Sequence, residues 1–520
     1  MRSLFKGLIV LLFLITLSVI AAAQTNIYTR VLYDMEYGLH AYTTTPAPDD
    51  GLYVTGLRYD NSGYLLKVDS AGFVVWSKKL ILDNATVNLT DVKTCSDSTI
   101  ITTGIVYANN QSYLAIVKWD IAGDAIWTKT VSWPQAIYSA RLCVTATDDI
   151  LIVGYTEIYT SGSIAEAFAL RFTKDGILQW SKKYTNSTFN IYGYSIAELP
   201  NGNITIAGKR QTKTNYTSKW LSFELEPSGE VISAFTMDSP DGYGYKAVDL
   251  IAVDDGIVYY SYTDQGGLLK LDYSGNLLWA RDYSIYSYSF YLNTQGNLIR
   301  TSDNGFVVTS SDMILKTDAE GIPEFKQAVF MDVVDVAQND DNGFVVAGNG
   351  PMIGVKTAPE YIPQVGLYRT DTEGNSGECI YPNITQFESY TPTFTSFDIN
   401  SQTAGEFTNL DITIEDFELL NDSSCVAQGG GILKRPAKTR SLYISPNPVK
   451  SILTVQFPDE DHAIVDQIDI IDSFGRVVWL VTNYSELKKG INVSSFTDGI
   501  YFLRIISNKE VYTGKFIKTK

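Results

Sequence analysis

Apolar and polar residues alternate in short runs along most of the chain, each run closed by glycine, asparagine or aspartate. This is the pattern of β-strands joined by tight turns. The runs recur. Leu268-Leu-Lys-Leu-Asp272-Tyr-Ser-Gly275-Asn-Leu-Leu-Trp279 matches Leu65-Leu-Lys-Val-Asp69-Ser-Ala-Gly72-Phe-Val-Val-Trp76 almost position by position. Weaker copies keep the same frame around Gly123 (Lys118, Asp120, Trp127), Gly176 (Arg171, Trp180), Gly229 (Glu224, Glu226), Gly321 (Lys316, Asp318, Phe325) and Gly374 (Arg369, Asp371). The turn glycines lie 46 to 53 residues apart, which makes seven units of nearly constant length.

Each unit also carries an earlier strand pair around an Asp-Gly, Asn-Gly or related turn, as in Asn342-Gly343-Phe-Val-Val-Ala-Gly348 and Asp50-Gly51-Leu-Tyr-Val-Thr-Gly56. Such pairs tolerate positive φ and mark hairpins. One unit therefore reads as strand, turn, strand, variable loop, strand ending in Lys-x-Asp, x-x-Gly turn, and strand ending at Trp. Four antiparallel strands at this period predict a β-propeller blade, against the rival of a long sandwich or solenoid. The seventh unit ends at Gly374-Asn-Ser-Gly-Glu378 without its outer strand, whereas Ile27-Tyr28-Thr29-Arg30-Val31-Leu32-Tyr33 looks like an outer strand without a unit. Pairing the two would close a ring and remove an exposed edge. Residues 24–378 resemble the propeller repeats of secreted bacterial proteins, a likeness that implies a fold and no particular activity.

The two ends of the chain speak of export. Residues 1–23 combine Arg2 and Lys6, an apolar run from Leu8 to Ile20 and the small-residue stop Ala21-Ala22-Ala23, which together predict a cleavable signal peptide. No later stretch is apolar enough to span a membrane, so no transmembrane segment is expected after cleavage. At the other end, residues 441–520 contain Ser441-Leu-Tyr-Ile-Ser-Pro446-Asn447-Pro448, then Asp472-Ser-Phe-Gly475-Arg476, then Gly499-Ile-Tyr501-Phe, then Lys515-Phe-Ile-Lys518. In this order they resemble the C-terminal sorting domain (type A) of cargo of the type IX secretion system, also called the Por secretion system, of the Bacteroidota. The resemblance implies a small Ig-like β-sandwich read by the outer-membrane translocon and removed by a sortase-like peptidase, leaving the protein at the cell surface or secreted. It carries Pro446, Asn447, Pro448, Asp472, Gly475, Arg476, Gly499, Tyr501, Lys515 and Lys518 over as the sorting signal.

Between these parts lies a different composition, residues 379–440. Its first part is rich in Thr, Ser, Phe and acidic residues and bracketed by Cys379 and Cys425; its second, from Gln428 to Arg440, reads as a basic hinge. In an exported chain with four cysteines, disulfides are the first expectation, and Cys379 with Cys425 is the preferred pair around a small strap. Cys95 and Cys143 remain open between a bond and two buried thiols.

Charge and chemistry narrow the function. A formal net charge of −18 argues against nucleic acid as a partner. The two histidines, His40 and His462, fall in different domains, which leaves no multi-histidine metal site and no triad. His40, beside Tyr42 in an inner strand, reads as structural. No phosphate-binding loop, nucleotide fingerprint or zinc spacing occurs, so no catalytic, cofactor or metal residue is assigned. The acidic clusters Asp254-Asp255-Gly256 and Asn339-Asp340-Asp341-Asn342-Gly343 coincide with hairpin turns. Tyr283-Ser-Ile-Tyr286-Ser-Tyr288-Ser-Phe290 alternates rings with small residues and offers either a ligand platform or an inter-blade packing face.

The expected protein is all-β: a seven-bladed β-propeller followed by the sorting sandwich. Its expected role is non-catalytic binding or adhesion, with a glycan or protein ligand at one propeller mouth. The alternative is a carbohydrate-active hydrolase or lyase with an acidic site in the channel.

Overall fold

The structure is a computed structural model. It describes residues 27–519 apart from 35, 159–163, 239–245, 263–265, 284–296, 311–312, 330, 351–363, 376–379, 383–387, 390–392, 408–409, 411, 418, 423–438, 457–464, 473–476, 482–489 and 508–509. The expected signal peptide, both members of the Cys379–Cys425 pair, His462, and the run Tyr286, Tyr288 and Phe290 lie outside the described residues. The chain divides into two compact units, Met1–Ala427 and Gln428–Lys520.

In the first unit, seven antiparallel sheets follow one another along the chain. Their innermost strands are Leu39–Pro46 (blade 1), Ala85–Thr94 (2), Ala136–Val144 (3), Phe189–Glu198 (4), Lys246–Val253 (5), Leu298–Arg300 (6) and Asp332–Gln338 (7). Each blade packs on the next and blade 7 packs on blade 1, which makes the ring a β-propeller. The third strand of blade 1, Gly63–Val68, is buried at every residue because another blade covers each face, whereas the fourth, Val74–Ile81, is buried only in part. The core is correspondingly divided into clusters, most of them between adjacent blades.

The repeated residues are the joints between blades. Aspartate in the x-x-Gly turn accepts two backbone N–H bonds, as Asp69 Oδ1 does from Ala71 and Phe73 at 2.9 Å each. The tryptophan of each outer strand lies over the turn glycine of the following blade: Trp76 over Gly123, Trp127 over Gly176, Trp180 over Gly229 and Trp279 over Gly321. Trp180 Nε1 also donates to Pro227 O at 2.8 Å in that turn. Blade 4 has Ser233 where the others carry a ring, and Gly275 of blade 5 accordingly has nothing within 4 Å of a Cβ position.

The N-terminal strand Tyr28–Tyr33 closes the ring. It pairs antiparallel with Val365–Arg369 of blade 7, with Tyr28 opposite Arg369, and Tyr28 covers Gly72 as the tryptophans cover theirs.

Residues 380–422 form no separate unit. Their described strands add a fifth, outermost strand to every blade, taken in reverse order around the ring. Ile380–Pro382 pairs with blade 6, Glu388–Ser389 with blade 5, Thr393–Ser396 with blade 4, Asn400–Thr403 with blade 3, Glu406–Phe407 with blade 2, Thr413–Asp416 with blade 1, and Leu420–Asp422 with the N-terminal strand in blade 7. The composition of the segment follows from this path. Its Thr and Ser residues suit an exposed edge strand, while its apolar residues peg the blade junctions: Phe397 meets Phe189 edge-on at 5.4 Å, and Phe417 meets Tyr64 at 6.2 Å. The small strap expected from the sequence is thus a complete belt.

Among its described residues the second unit has a five-stranded and a three-stranded sheet. Leu453 and Ile491 from the smaller sheet share a core with Ile468, Ile470, Leu503, Ile505 and Phe516 from the larger.

Candidate functional site

The ring has two unlike faces. One carries the tight turns of the repeat, between first and second strands and between third and fourth. The opposite face carries the connections between second and third strands and from blade to blade. Among the described residues these vary from Asn109-Asn110 in blade 2 to residues 213–217 in blade 4. Where backbone turns are invariant the face is architectural; where connections vary, binding is the usual use.

Midway down the channel each blade places one polar residue at the same level, on its inner strand or, for Asn297, just before it: Thr43, Asp91, Arg141, Ser195, Asp249, Asn297 and Asp335. They lace neighbouring blades. Asp335 Oδ2 accepts from Thr44 N at 2.7 Å and Thr43 Oγ1 at 2.8 Å across the blade 7 to 1 junction. Asp91 Oδ2 accepts from Leu142 N at 2.8 Å, and Asp249 Oδ2 from Leu298 N at 2.9 Å. Ser195 Oγ donates to Asp249 Oδ1 at 2.6 Å and Asn297 Nδ2 to Val334 O at 3.0 Å, while Arg141 of blade 3 reaches across the channel to donate to Asn297 Oδ1 of blade 6 at 3.2 Å. Burial pushes the Asp249 carboxyl up, against the pull of Arg141 and its hydrogen bonds. Lys93 stays cationic: burial would lower it, but Asp91 and Asp335 outweigh burial and raise it. On the turn-face side of this ring the channel widens into a cup of about 790 Å³. Charged groups around that cup are paired, Arg300 with Asp254 at 2.6 Å and Glu198 with Arg171 at 3.6 Å.

On the loop-face side the inner strands carry tyrosine. In blades 1, 3 and 4 a β-bulge takes Tyr42, Tyr138 and Tyr194 out of the strand's alternation. Second strands add Tyr107 and Tyr155. The rings form an arc: Tyr138 stacks with Tyr155 at 5.9 Å, Tyr155 meets Tyr192 edge-on at 4.9 Å and Tyr194 edge-on at 5.9 Å, and His40 lies 4.9 Å from Tyr42. Tyr107 links the halves, donating to Ile137 O at 3.5 Å. Burial pushes the Tyr107 hydroxyl up to about 12, with Tyr138 and Tyr42 adding to it. Lys209 Nζ sits 4.3 Å over the Tyr192 ring; burial lowers it, and Glu157 opposes that shift. Burial also lowers His40, which keeps the imidazole neutral.

The acidic turn clusters serve the fold. Asp255 pairs with Lys270 at 2.6 Å and Asp341 with Arg369 at 3.1 Å. Cys95 and Cys143 are free thiols, so the bond left open between them does not form. The arc and the lacing ring both escaped the sequence reading. The signal for the ring was present as an aspartate inside an apolar run: Thr90-Asp91-Val92, Val248-Asp249-Leu250 and Val334-Asp335-Val336.

The sorting residues divide by exposure. Pro446, Asn447, Pro448 and Lys515 are exposed, whereas Tyr501 and Lys518 are buried. Asn447 holds the Pro-Asn-Pro segment to the last strand, its Nδ2 donating to Lys515 O at 3.0 Å and its Oδ1 accepting from Ile517 N at 2.9 Å. The Tyr501 hydroxyl donates to Thr497 O at 2.9 Å and its ring stacks on Phe516 at 5.5 Å. Asp472 ends the strand Val465–Asp472 opposite Tyr501, and Gly499 begins Gly499–Ser507 opposite Lys518. Gly475 and Arg476 lie outside the described residues.

Residues 443–519 match the family described as the secretion system C-terminal sorting domain. This chain is type IX secretion cargo. The sorting domain directs it to the cell surface or the medium, and no helix among the described residues is long and apolar enough to cross a membrane. No curated protein matches the chain. Among solved structures, a protein of unknown function from Dyadobacter fermentans aligns over 66% of this chain and 98% of its own at 12% identity and a TM-score of 0.38. An α-L-arabinanase from Penicillium chrysogenum complexed with arabinobiose aligns over 66% and 97% at 9% identity and 0.38. A protein of unknown function from Bacteroides caccae aligns over 52% and 90% at 13% identity and 0.32. The cargo's own residues must therefore carry the functional argument.

Proposed function

We propose that the propeller is the binding module of a type IX cargo, displayed or secreted as a non-catalytic ligand-binding or adhesion protein. The observation that carries this reading is the tyrosine arc at the mouth formed by the variable connections. Aromatic side chains with polar tips bind by apolar area and still satisfy a hydroxylic or amide ligand. The alternative, hydrolysis or lysis of a polysaccharide by channel carboxylates, has less support. Asp91, Asp249 and Asp335 each hold a backbone N–H of the next blade, a task that fixes them in the ring.

In the sorting domain, Pro446, Asn447, Pro448 and Lys515 form the surface offered to the outer-membrane translocon, and Tyr501 and Lys518 hold the fold beneath it. Asp472, Gly475, Arg476 and Gly499 complete the signal. A sortase-like peptidase would cut in the basic hinge, between 428 and 440. Incubating the exported chain with a polysaccharide panel tests the binding reading: retention without released product supports it, and accumulation of oligosaccharide products defeats it.

A further inference from the structure

The arc covers one side of the mouth, from Tyr42 in blade 1 through Tyr107 in blade 2 and Tyr138 and Tyr155 in blade 3 to Tyr194 in blade 4, backed by Tyr192, which is only 5% exposed and offers no face to a ligand. Its rings meet at widely different angles, 16° between Tyr138 and Tyr155 but 88° between Tyr155 and Tyr194. Successive faces therefore point in different directions, which suits a chain of separate rings better than one flat ligand. The arc's polar groups are uncharged: phenol hydroxyls, the His40 imidazole and the Asn349 amide, whose Nδ2 lies 3.4 Å from the imidazole. Raised phenols stay protonated and can both donate and accept, as a sugar hydroxyl does. The charged pair named at the arc, Lys209 and Glu157, sums to zero. A net charge of −18 on the whole chain disfavours an anionic ligand.

We infer that the arc is the binding site of an extended, uncharged glycan, whose pyranose or furanose faces stack on successive tyrosines across blades 1 to 4. This rests on the binding-module reading and adds the ligand class and the subsites. A proline-rich peptide is the competing occupant of a tyrosine-lined surface, but it presents carbonyl acceptors and no hydroxyl donors, whereas the Tyr107 hydroxyl already donates to Ile137 O and has an acceptor to offer.

Calorimetric titration of the exported chain with cellohexaose, mannohexaose, maltohexaose, hexagalacturonate and a polyproline decamer separates the outcomes. A neutral hexasaccharide should bind, and Tyr155→Ala should weaken it about tenfold, the scale of one lost aromatic stack. Tyr155→Phe should lose less, since stacking survives. Tyr273→Ala, on the turn face, should bind like the parent. Should Tyr155→Ala fail to fold, Tyr107→Ala, at a ring that is 37% exposed, provides the same test. Arc-dependent binding of hexagalacturonate or polyproline instead of neutral sugar overturns the ligand class but leaves the binding module. Sugar binding insensitive to both alanine variants overturns the arc as the site, and failure of every probe at millimolar concentration counts against both readings.

Discussion

Blade 4 shows what the repeat selects at single positions. Elsewhere a basic residue before the turn aspartate pairs with an acid of the first hairpin, as Lys67 does with Asp49 at 2.6 Å and Lys316 with Asp303 at 2.9 Å. In blade 4 the basic position is Glu224, and the acid is replaced by Asn203, whose amide donates to Glu224 Oε1 at 2.6 Å. The contact is kept while its polarity is reversed. Glu224→Lys should therefore destabilise the ring, and adding Asn203→Asp should recover about 1 kcal/mol, as a double-mutant cycle in urea would read. The turn glycines offer a second comparison. Gly176 (φ +78°) and Gly275 (φ +84°) both need the left-handed region, but a Cβ at Gly176 would meet Trp127 at 3.0 Å whereas one at Gly275 meets nothing. Gly275→Ala should cost about 1 kcal/mol for its backbone alone, and Gly176→Ala about 2–3 kcal/mol once the ring must move. Tyrosines set the alkaline limit. Burial raises Tyr53 and Tyr368 to about 12, while an unfolded tyrosine ionises near 10. The neutral phenol is the folded form, so this stabilisation is complete below pH 10 and is lost as pH climbs towards 12. The share of tyrosinate absorbance that comes from the buried rings should then rise together with loss of circular dichroism, above pH 10.

At the level of elements, the strands and turns were legible because each blade repeats its own punctuation, and so was the orphan strand Tyr28–Tyr33, because a unit lacked its partner. The belt was not. Its strands run from Glu388–Ser389, two residues, to four, as in Thr393–Ser396, too short for a period-two signal, and their partners lie as far as 391 residues away, as with Val31 and Asp422. The lacing ring stayed hidden for another reason: an aspartate in an apolar strand declares that it is satisfied, but the satisfying N–H belongs to the next blade. The tyrosine arc depends on bulges, which shift side-chain direction without leaving a mark in composition. The belt covers the outer edge of every blade, and uncovered edges pair with other chains. Deleting residues 380–422 should lower the melting temperature and produce concentration-dependent oligomers in size-exclusion chromatography. A monomer with unchanged melting would show that the belt is dispensable decoration.

For the whole molecule, the two units divide the labour. The ring closes through its N-terminal strand and the belt returns to that same strand, so the pairings that close unit 1 come from its own residues. The sorting domain has its own core around Leu503 and Phe516. Folding and address are therefore separable. The most direct test compares the full chain with one ending at residue 440 in a host that has the type IX system, scoring surface exposure by protease accessibility and folding by resistance of the ring to proteolysis after lysis. The truncated chain should be folded, protease-resistant and confined to the periplasm. A truncated chain that reaches the surface at the level of the full protein would contradict this.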